Sequence, residues 1–399
     1  MPELLKSGWV LVAFGDVVRQ VKDRVDPEKT DLERYVAGEH MDTDDLRIRR
    51  WGLIGDGYLG PAFHMRFKPG HVLYGSRRTY LRKVAVAHFE GITANTTFVL
   101  ESKNSKLLLP ELLPFIMQTE SFHEHSTKQS KGSVNPYVNF SDLAWYEFAL
   151  PPLEEQRKIA EALGAFENTI EAHRRLEQNA DKLRRSQLLD TFRPKRGSQD
   201  SFPQHWNISK ASEVGNVQLG QQRHPKFANG TNMRPYLRVA NVFDGWINFD
   251  DLEAMHFPKR DLGKFELLSG DILLNEGQST ELVGRSAIYR GELSGCCFQK
   301  TLLRFRCGPS LLPEFAHAFF QHCLYTGQFA RMVVQTTSMA HLTAVRFKEL
   351  AVPVPPIDEQ RRLSERIHGL NTASTIIGER IIASRAFVRS FIDGLWSAR

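Results

Sequence analysis

The sequence predicts an α+β protein: two mixed, β-rich domains in a tandem pseudo-two-fold repeat, separated by two long helices packed as an antiparallel coiled coil. Three observations lead there. A block of about sixty residues occurs twice, 204 positions apart and without a gap. One copy is centred on Leu150-Pro151-Pro152-Leu153-Glu154-Glu155-Gln156, the other on Val354-Pro355-Pro356-Ile357-Asp358-Glu359-Gln360. Each copy runs on into a long helical pattern, ending at Phe192 and at Trp396. Finally, the stretches before the two copies both break into short β-type runs between Gly and Pro.

In order along the chain, residues 1–150 form the first mixed domain, with β-type runs such as Gly70–Gly75 and Val84–Ala87. Residues 151–192 read as the first spacer helix. Pro151-Pro152 suits a first helical turn, Glu154-Glu155 suits the positive end of the helix dipole, and Pro194, Gly197 and Ser198 stop it. Residues 200–353 repeat the mixed plan. Gly8-Trp9 answers His205-Trp206, Asp16-Val17 answers Glu213-Val214, and Leu108–Glu111 answers Leu311–Glu314. Residues 355–396 form the second spacer helix.

That helix carries a sustained 3-4 spacing through Leu363, Ile367, Leu370, Ser374, Ile377, Ile381, Ser384, Val388, Phe391 and Leu395, the pattern of a coiled-coil seam. The first helix has a looser stripe through Ile159, Leu163, Phe166, Ile170, Leu176, Ala180 and Leu183. Helices of this length reach roughly 57 Å, too long for the interior of a small domain. One apolar stripe on each asks for one partner, so the two are expected to pair.

At 399 residues the chain can hold two or three domains, and 41% hydrophobic with 25% charged residues is an ordinary globular composition. No apolar run approaches the ~18 residues of a membrane span. Met1–Lys6 lacks a signal-peptide core, so a cytoplasmic protein is expected. Cys296, Cys297, Cys307 and Cys323 form no Cys-x-x-Cys pair and read as reduced thiols, with no metal site.

Enzymatic signatures are weak. Asn135-Pro136-Tyr137 only superficially resembles the Asn/Asp-Pro-Pro-aromatic tetrad of adenine methyltransferases, and no glycine-rich cofactor loop precedes it. Phe122-His123-Glu124-His125 places its histidines at i,i+2, where they diverge on a helix, and reads as a surface or helix-end cluster. No Walker-type loop is present, and no carboxylate pair with a lysine marks a nuclease. Catalytic residues: none.

Basic and amide-bearing clusters say more. The net charge is +6, from 52 Lys and Arg against 46 Asp and Glu. In the first domain Arg77, Arg78, Tyr80, Arg82 and Lys83 fall between two β-type runs. Arg47 and Arg49 form a second cluster, and Lys128 and Lys131 flank a polar loop. In the second domain Gln221, Gln222, Arg223 and Lys226 lie near the start, and Gln278 and Ser279 lead to Arg285 at the place answering Arg77-Arg78. Gln335 and Thr336 answer the loop around Lys131. Loops of this composition on a β scaffold suit phosphate anchoring and base-edge hydrogen bonding. The halves differ most here, so they are expected to read different sequences.

The doubled Pro-Pro-hydrophobic-acidic-Glu-Gln block, its long helices and the variable β-rich domain before each copy resemble the DNA sequence-specificity subunit of type I restriction–modification systems. Leu73–Val84 is also similar to a common first-domain variant of that family. The resemblance implies a non-catalytic subunit that reads a bipartite site in double-stranded DNA, one domain per half-site about a helical turn (~34 Å) apart. It implies two methyltransferase (modification) subunits, and restriction/translocase subunits, docked on this chain. S-adenosylmethionine, ATP and Mg would belong to those partners, and this chain would bind no cofactor. Pro151, Pro152, Glu155, Gln156, Pro355, Pro356, Glu359 and Gln360 would serve structure and subunit docking, helped by apolar positions such as Phe387, Phe391 and Trp396. The alternatives are a fragment of a fused methyltransferase–nuclease, or a DNA-binding scaffold without modification partners.

Overall fold

The computed structural model describes residues 6–193, 202–335 and 339–397. They form two compact units, Met1–Arg174 with Gly378–Arg399, and Arg175–Ile377. Pro194, Gly197 and Ser198, expected to stop the first helix, lie outside the described residues, as does Thr336.

Unit one opens with β1 (Val10–Ala13), which lies antiparallel to β10 (Glu147–Leu150), Val10 facing Leu150. Between them sit two four-stranded sheets. One has the order β2 (Val18–Gln20), β9 (Thr97–Ser102), β6 (Val72–Gly75), β7 (Val84–Val86), all antiparallel. The other has the order β4 (Gly52–Leu53), β3 (Arg34–Val36), β8 (Gly91–Ala94), β5 (Phe63–Phe67), with β3 and β8 parallel. Val36, Met65, Phe67, Leu73, Ala85 and Val99 form one core between the sheets. Val72-Leu73-Tyr74 is buried without alternation, as in a strand covered on both faces.

Unit two repeats this plan, with three strands in its second sheet where unit one has four. β11 (Asn207–Lys210) pairs with β22 (Ala351–Val354). The first sheet runs β12 (Gly215–Leu219), β19 (Leu302–Cys307), β15 (Ile272–Asn275), β17 (Ser286–Ile288), the same order as before. The second runs β14 (Glu253–His256), β13 (Met233–Leu237), β18 (Cys297–Phe298), again with one parallel pair. Registers repeat as well. Val72 faces Leu100 where Ile272 faces Phe305, and Tyr35 faces Ile92 where Tyr236 faces Cys297. The cysteines are free, and all but Cys307 are buried as small hydrophobes.

The long helices are Leu153–Thr191 and Ile357–Ser397. Both prolines of each block precede the helix, and the carbonyls of Pro152 and Pro356 accept the N–H groups of Gln156 and Gln360 at 2.9 and 3.0 Å. In the second helix all ten positions of the predicted seam are buried or half-buried. The first helix departs from prediction. Leu176 and Leu183 are 53% and 57% exposed, and the buried line runs instead through Ile170, Arg184, Leu188 and Phe192. A polar residue takes the inward place because Arg184 Nη2 is held by Tyr325 at 2.6 Å and Asp181 at 2.7 Å. Within unit one Phe166 packs on Phe387 and Phe391, at 5.2 and 6.3 Å between ring centres. Within unit two Leu188 and Phe192 share a core with Ile367. Early first helix meets late second helix, and late meets early: the pairing is antiparallel.

Each unit is closed by the far end of a long helix. Trp9 packs edge-on against Trp396 at 6.3 Å, and Trp206 against Phe192 at 6.4 Å. Trp396 also donates Nε1–H to the Ala149 carbonyl at 2.9 Å, so it is a buried closing residue and not a presented one.

The repeated Glu-Gln pair fixes the near end of each helix. Gln156 Oε1 accepts Leu109 N–H at 2.9 Å, while its Nε2 donates to the carbonyls of Leu107 and Pro151, both at 2.8 Å. Gln360 does the same with Leu312 N–H at 2.8 Å, Ser310 O at 2.9 Å and Pro355 O at 2.8 Å. Both amides are buried. Glu155 accepts Trp9 Nε1–H at 2.9 Å, and Glu359 lies 2.9 Å from His205 Nε2. These geometries give the glutamines intramolecular work and leave their side chains nothing to offer a docking partner. Replacing Gln156 or Gln360 by Leu strands one N–H and two carbonyls in a dry environment. Urea denaturation is expected to show a loss of about 3 kcal/mol for either variant; a loss below about 0.5 kcal/mol would contradict the assignment.

Candidate nucleic-acid interface

In unit one the β6–β7 connection, Ser76–Lys83, is strapped to the segment Ser130–Val138. Val138 N–H donates to Ser76 O at 3.0 Å, and Arg78 N–H to Pro136 O at 2.6 Å. Lys131 and Tyr137 exchange two backbone bonds of 2.8 and 2.9 Å. Thr79 Oγ1 and Ser130 Oγ lie 2.8 Å apart. The two polar loops singled out in the sequence are thus one surface. Asn135-Pro136-Tyr137 is part of that strap, which explains its proline without any methyltransferase tetrad. Arg78 sits in the left-handed region at φ 49°, which non-glycine residues adopt rarely.

Five predicted residues are presented there: Arg77, Arg78, Tyr80, Lys128 and Lys131 are exposed. Lys131 Nζ also reaches Asp142 at 3.0 Å, and that hydrogen bond first, with the Asn139 N–H, holds the Asp142 carboxyl below its usual range. The other four predicted residues are turned to internal partners. Arg82 binds Asp44 at 2.9 Å and Glu120 at 2.5 Å. Lys83 Nζ donates to the Gly38 carbonyl. Arg47 Nη2 donates to Asn168 at 2.9 Å, and Arg49 binds Asp45 and Glu171, both at 2.8 Å. His123, expected at the surface, faces inward from the helix Glu120–Lys128. Its ring nitrogens find no partner among the described residues, and burial, with the charges of Arg82 and Arg389, pushes its pKa down to about 3.

Unit two builds the same surface with different side chains. β16 (Gly277–Gln278) pairs with β21 (Ala340–His341), which pairs in turn with β20 (Val334–Gln335). Leu342 N–H donates to Glu276 O at 2.8 Å, as Val138 does to Ser76. Gly277 faces His341 where Arg77 faces Tyr137, and Val334 faces His341 where Lys131 faces Tyr137. The residue answering Arg78 is therefore Gln278. Arg285 does not stand there: Asn275 N–H binds Arg285 O as Gly75 N–H binds Lys83 O, so Arg285 answers Lys83. Its guanidinium lies 4.9 Å over the Phe243 ring, half-buried, and burial lowers its pKa.

Among the remaining predicted residues, Gln222, Arg223 and Lys226 are exposed, with Arg223 3.4 Å from Glu253. Gln221 is buried and donates to His256 O at 2.9 Å. Ser279 is exposed, and Gln335 lies in β20.

Sequence reading missed the carboxylates that organise the basic clusters. Asp45, 2% exposed, accepts from Arg49 and from Arg47 N–H, and pairs with Arg174 at 2.8 Å and Arg385 at 3.0 Å, one from each long helix. In unit two Asp244 takes the equivalent part, 3.5 Å from Arg184 and bonded to Gln321 at 2.7 Å. The acidic pair Asp44-Asp45 beside three arginines was the available signal. Among the described residues no helix is long and apolar enough to cross a membrane, and no group of three His, Cys, Asp or Glu could hold a metal ion.

Two α+β units of one build, each lifting a paired-loop surface and each closed by two long helices, define the class: a duplicated α+β scaffold on paired long helices. Residues 56–181 match the family described as Type I restriction modification DNA specificity domain. The chain is 23% identical to the EcoKI specificity subunit of Escherichia coli K12, across 98% of this chain and 88% of that one. It is 24% identical to the MjaVIII specificity subunit of Methanocaldococcus jannaschii, across 71% of this chain and 68% of that one. A chain solved in work on the assembly and conformational transition of a type I R-M system shares the fold, with a TM-score of 0.58 at 20% identity, covering 98% of this chain and 97% of that one. Over most of its length the chain is thus similar to specificity subunits of type I restriction–modification systems.

The Asp45 cluster has a pH signature. Burial alone would raise its carboxyl, but the Arg49 hydrogen bond, the Arg47 N–H and the charges of Arg174 and Arg49 outweigh it and hold the pKa down at about 2, against 3.8 for the free group. The stabilisation is complete above pH ~4 and disappears as pH falls towards 2, amounting to about 2 kcal/mol. Urea denaturation of Asp45→Asn should show a deficit at pH 7 that narrows by roughly two thirds of that amount at pH 2.5. A gap that does not change with pH contradicts the cluster.

Proposed function

We propose that this chain is the sequence-specificity subunit of a type I restriction–modification enzyme and reads a bipartite site in double-stranded DNA, each unit reading one half-site. The observation carrying this reading is the strapped-loop surface, made twice with the same backbone ladder and different side chains. Shared backbone with divergent side chains suits two readers of different sequence on one scaffold. Arg77, Arg78 and the lysines at 128 and 131 supply phosphate anchoring and base-edge donors in unit one. Gln222, Arg223, Lys226 and Gln278 do so in unit two.

The chain itself performs no catalysis and needs no cofactor in this reading. Methyl transfer from S-adenosylmethionine belongs to two modification subunits, and ATP- and Mg-dependent translocation and cleavage to restriction subunits, all acting with it in the cytoplasm. The names of the relatives support the assignment, and the exposed Phe387, Leu176 and Leu183 offer apolar helix surface for such partners.

Selection from a pool of random duplexes by the full chain with its modification subunits is expected to enrich two short sequence blocks at a fixed, unread interval. The double variant Lys128→Ala, Lys131→Ala should weaken binding without altering either block, and flatten the salt dependence by about two units of log–log slope. Enrichment of a single continuous block, or of none, contradicts the reading.

A further inference from the structure

The duplicated ladder pairs off the positions of the two reading surfaces, and among the described residues one pair presents an unengaged hydrogen-bonding fork in both. Position 77 is Arg in unit one but Gly277 in unit two, which has no side chain to read with. Lys131 corresponds to Val334, which is apolar. Arg78 corresponds to Gln278. Neither side chain has a hydrogen-bond or ion-pair partner among the described residues, whereas nearby Arg82, Lys83 and Arg285 are all engaged. Arg78 is further set apart by its left-handed backbone, pinned by its N–H bond to Pro136 O, which fixes where the guanidinium leaves the chain.

We infer that Arg78 and Gln278 are the equivalent base-reading residues of the two units, and that they specify guanine in one half-site and adenine in the other. The inference rests on the bipartite reading above and goes on to name bases. The chemistry is geometric. A guanidinium fork donates twice to O6 and N7 of guanine, while a glutamine amide donates to N7 and accepts from N6 of adenine. Each side chain therefore mispairs with the other's base. The same backbone with Arg or Gln at one position is a two-letter switch.

The test exchanges the letters in the full chain with its modification subunits, using selection from random duplexes as readout. Arg78→Gln should replace one guanine by adenine in the half-site read by unit one. Gln278→Arg should replace one adenine by guanine in the other half-site. Each swap should change preference at its own base pair by roughly 5- to 150-fold and leave the opposite half-site as it was. Arg78→Gly, which suits the left-handed backbone and so keeps the fold, should lose the guanine preference at that one position. An unchanged motif with uniformly weaker binding would make both residues phosphate contacts and overturn the inference. So would a change at other bases or in both half-sites. A wild-type selection yielding no bipartite motif brings down the inference together with the function it rests on, whereas a bipartite motif indifferent to the swaps brings down the inference alone.

Discussion

A buried primary amide has four hydrogen-bonding sites to satisfy and no water to do it, and that constraint fixes the architecture here. Gln156 and Gln360 each spend their amide on one N–H and two carbonyls of the segment just before the helix and of the loop ahead of the domain's helical part. Three bonds from one side chain define the angle at which a helix of about forty residues leaves its domain. The prolines beforehand lock the backbone into the approach, and the neighbouring glutamate ties the helix start to the ring of Trp9 or His205. Anything the helices do later along their length inherits this geometry.

From that root the two units follow the same logic. Each begins with a strand that pairs with its own last strand, so the domain's ends are brought together where the helix departs. An aromatic from the far end of a long helix then caps the junction; the buried Asp45 catches an arginine from each long helix, and the half-buried Asp244 catches Arg184. The exposed residues of the strapped loops differ in charge and donor pattern between the two units, while the backbone ladder that carries them stays the same.

Much of this was legible. The repeat, the two helices and the seam of the second helix come directly from residue spacing, because apolar side chains at 3-4 intervals must share a face. The first helix was harder. Its inward line includes Arg184, which a hydrophobicity pattern assigns to solvent and which only a partner such as Tyr325 can bring inside. Charge letters misled in the same way. Arg49 and Arg82 read like Arg77 and Arg78, yet carboxylates distant in sequence claim the first two. Sequence alone sets Arg285 opposite Arg77-Arg78, whereas the backbone hydrogen bonds of a longer loop put it in the place of Lys83. His123 sits one residue from a partly exposed helix face, and direction alone decided its burial.

The central claim is that one reading module occurs twice and that each copy acts on its own stretch of DNA. The most direct measurement builds a chain with residues 10–150 in both places, the second copy replacing 207–354, and determines the site it selects together with the modification subunits. The account predicts that the half-site of unit one appears twice and that the other half-site vanishes. Persistence of the original second half-site in that hybrid would contradict it, as would a folded hybrid that selects no repeated block.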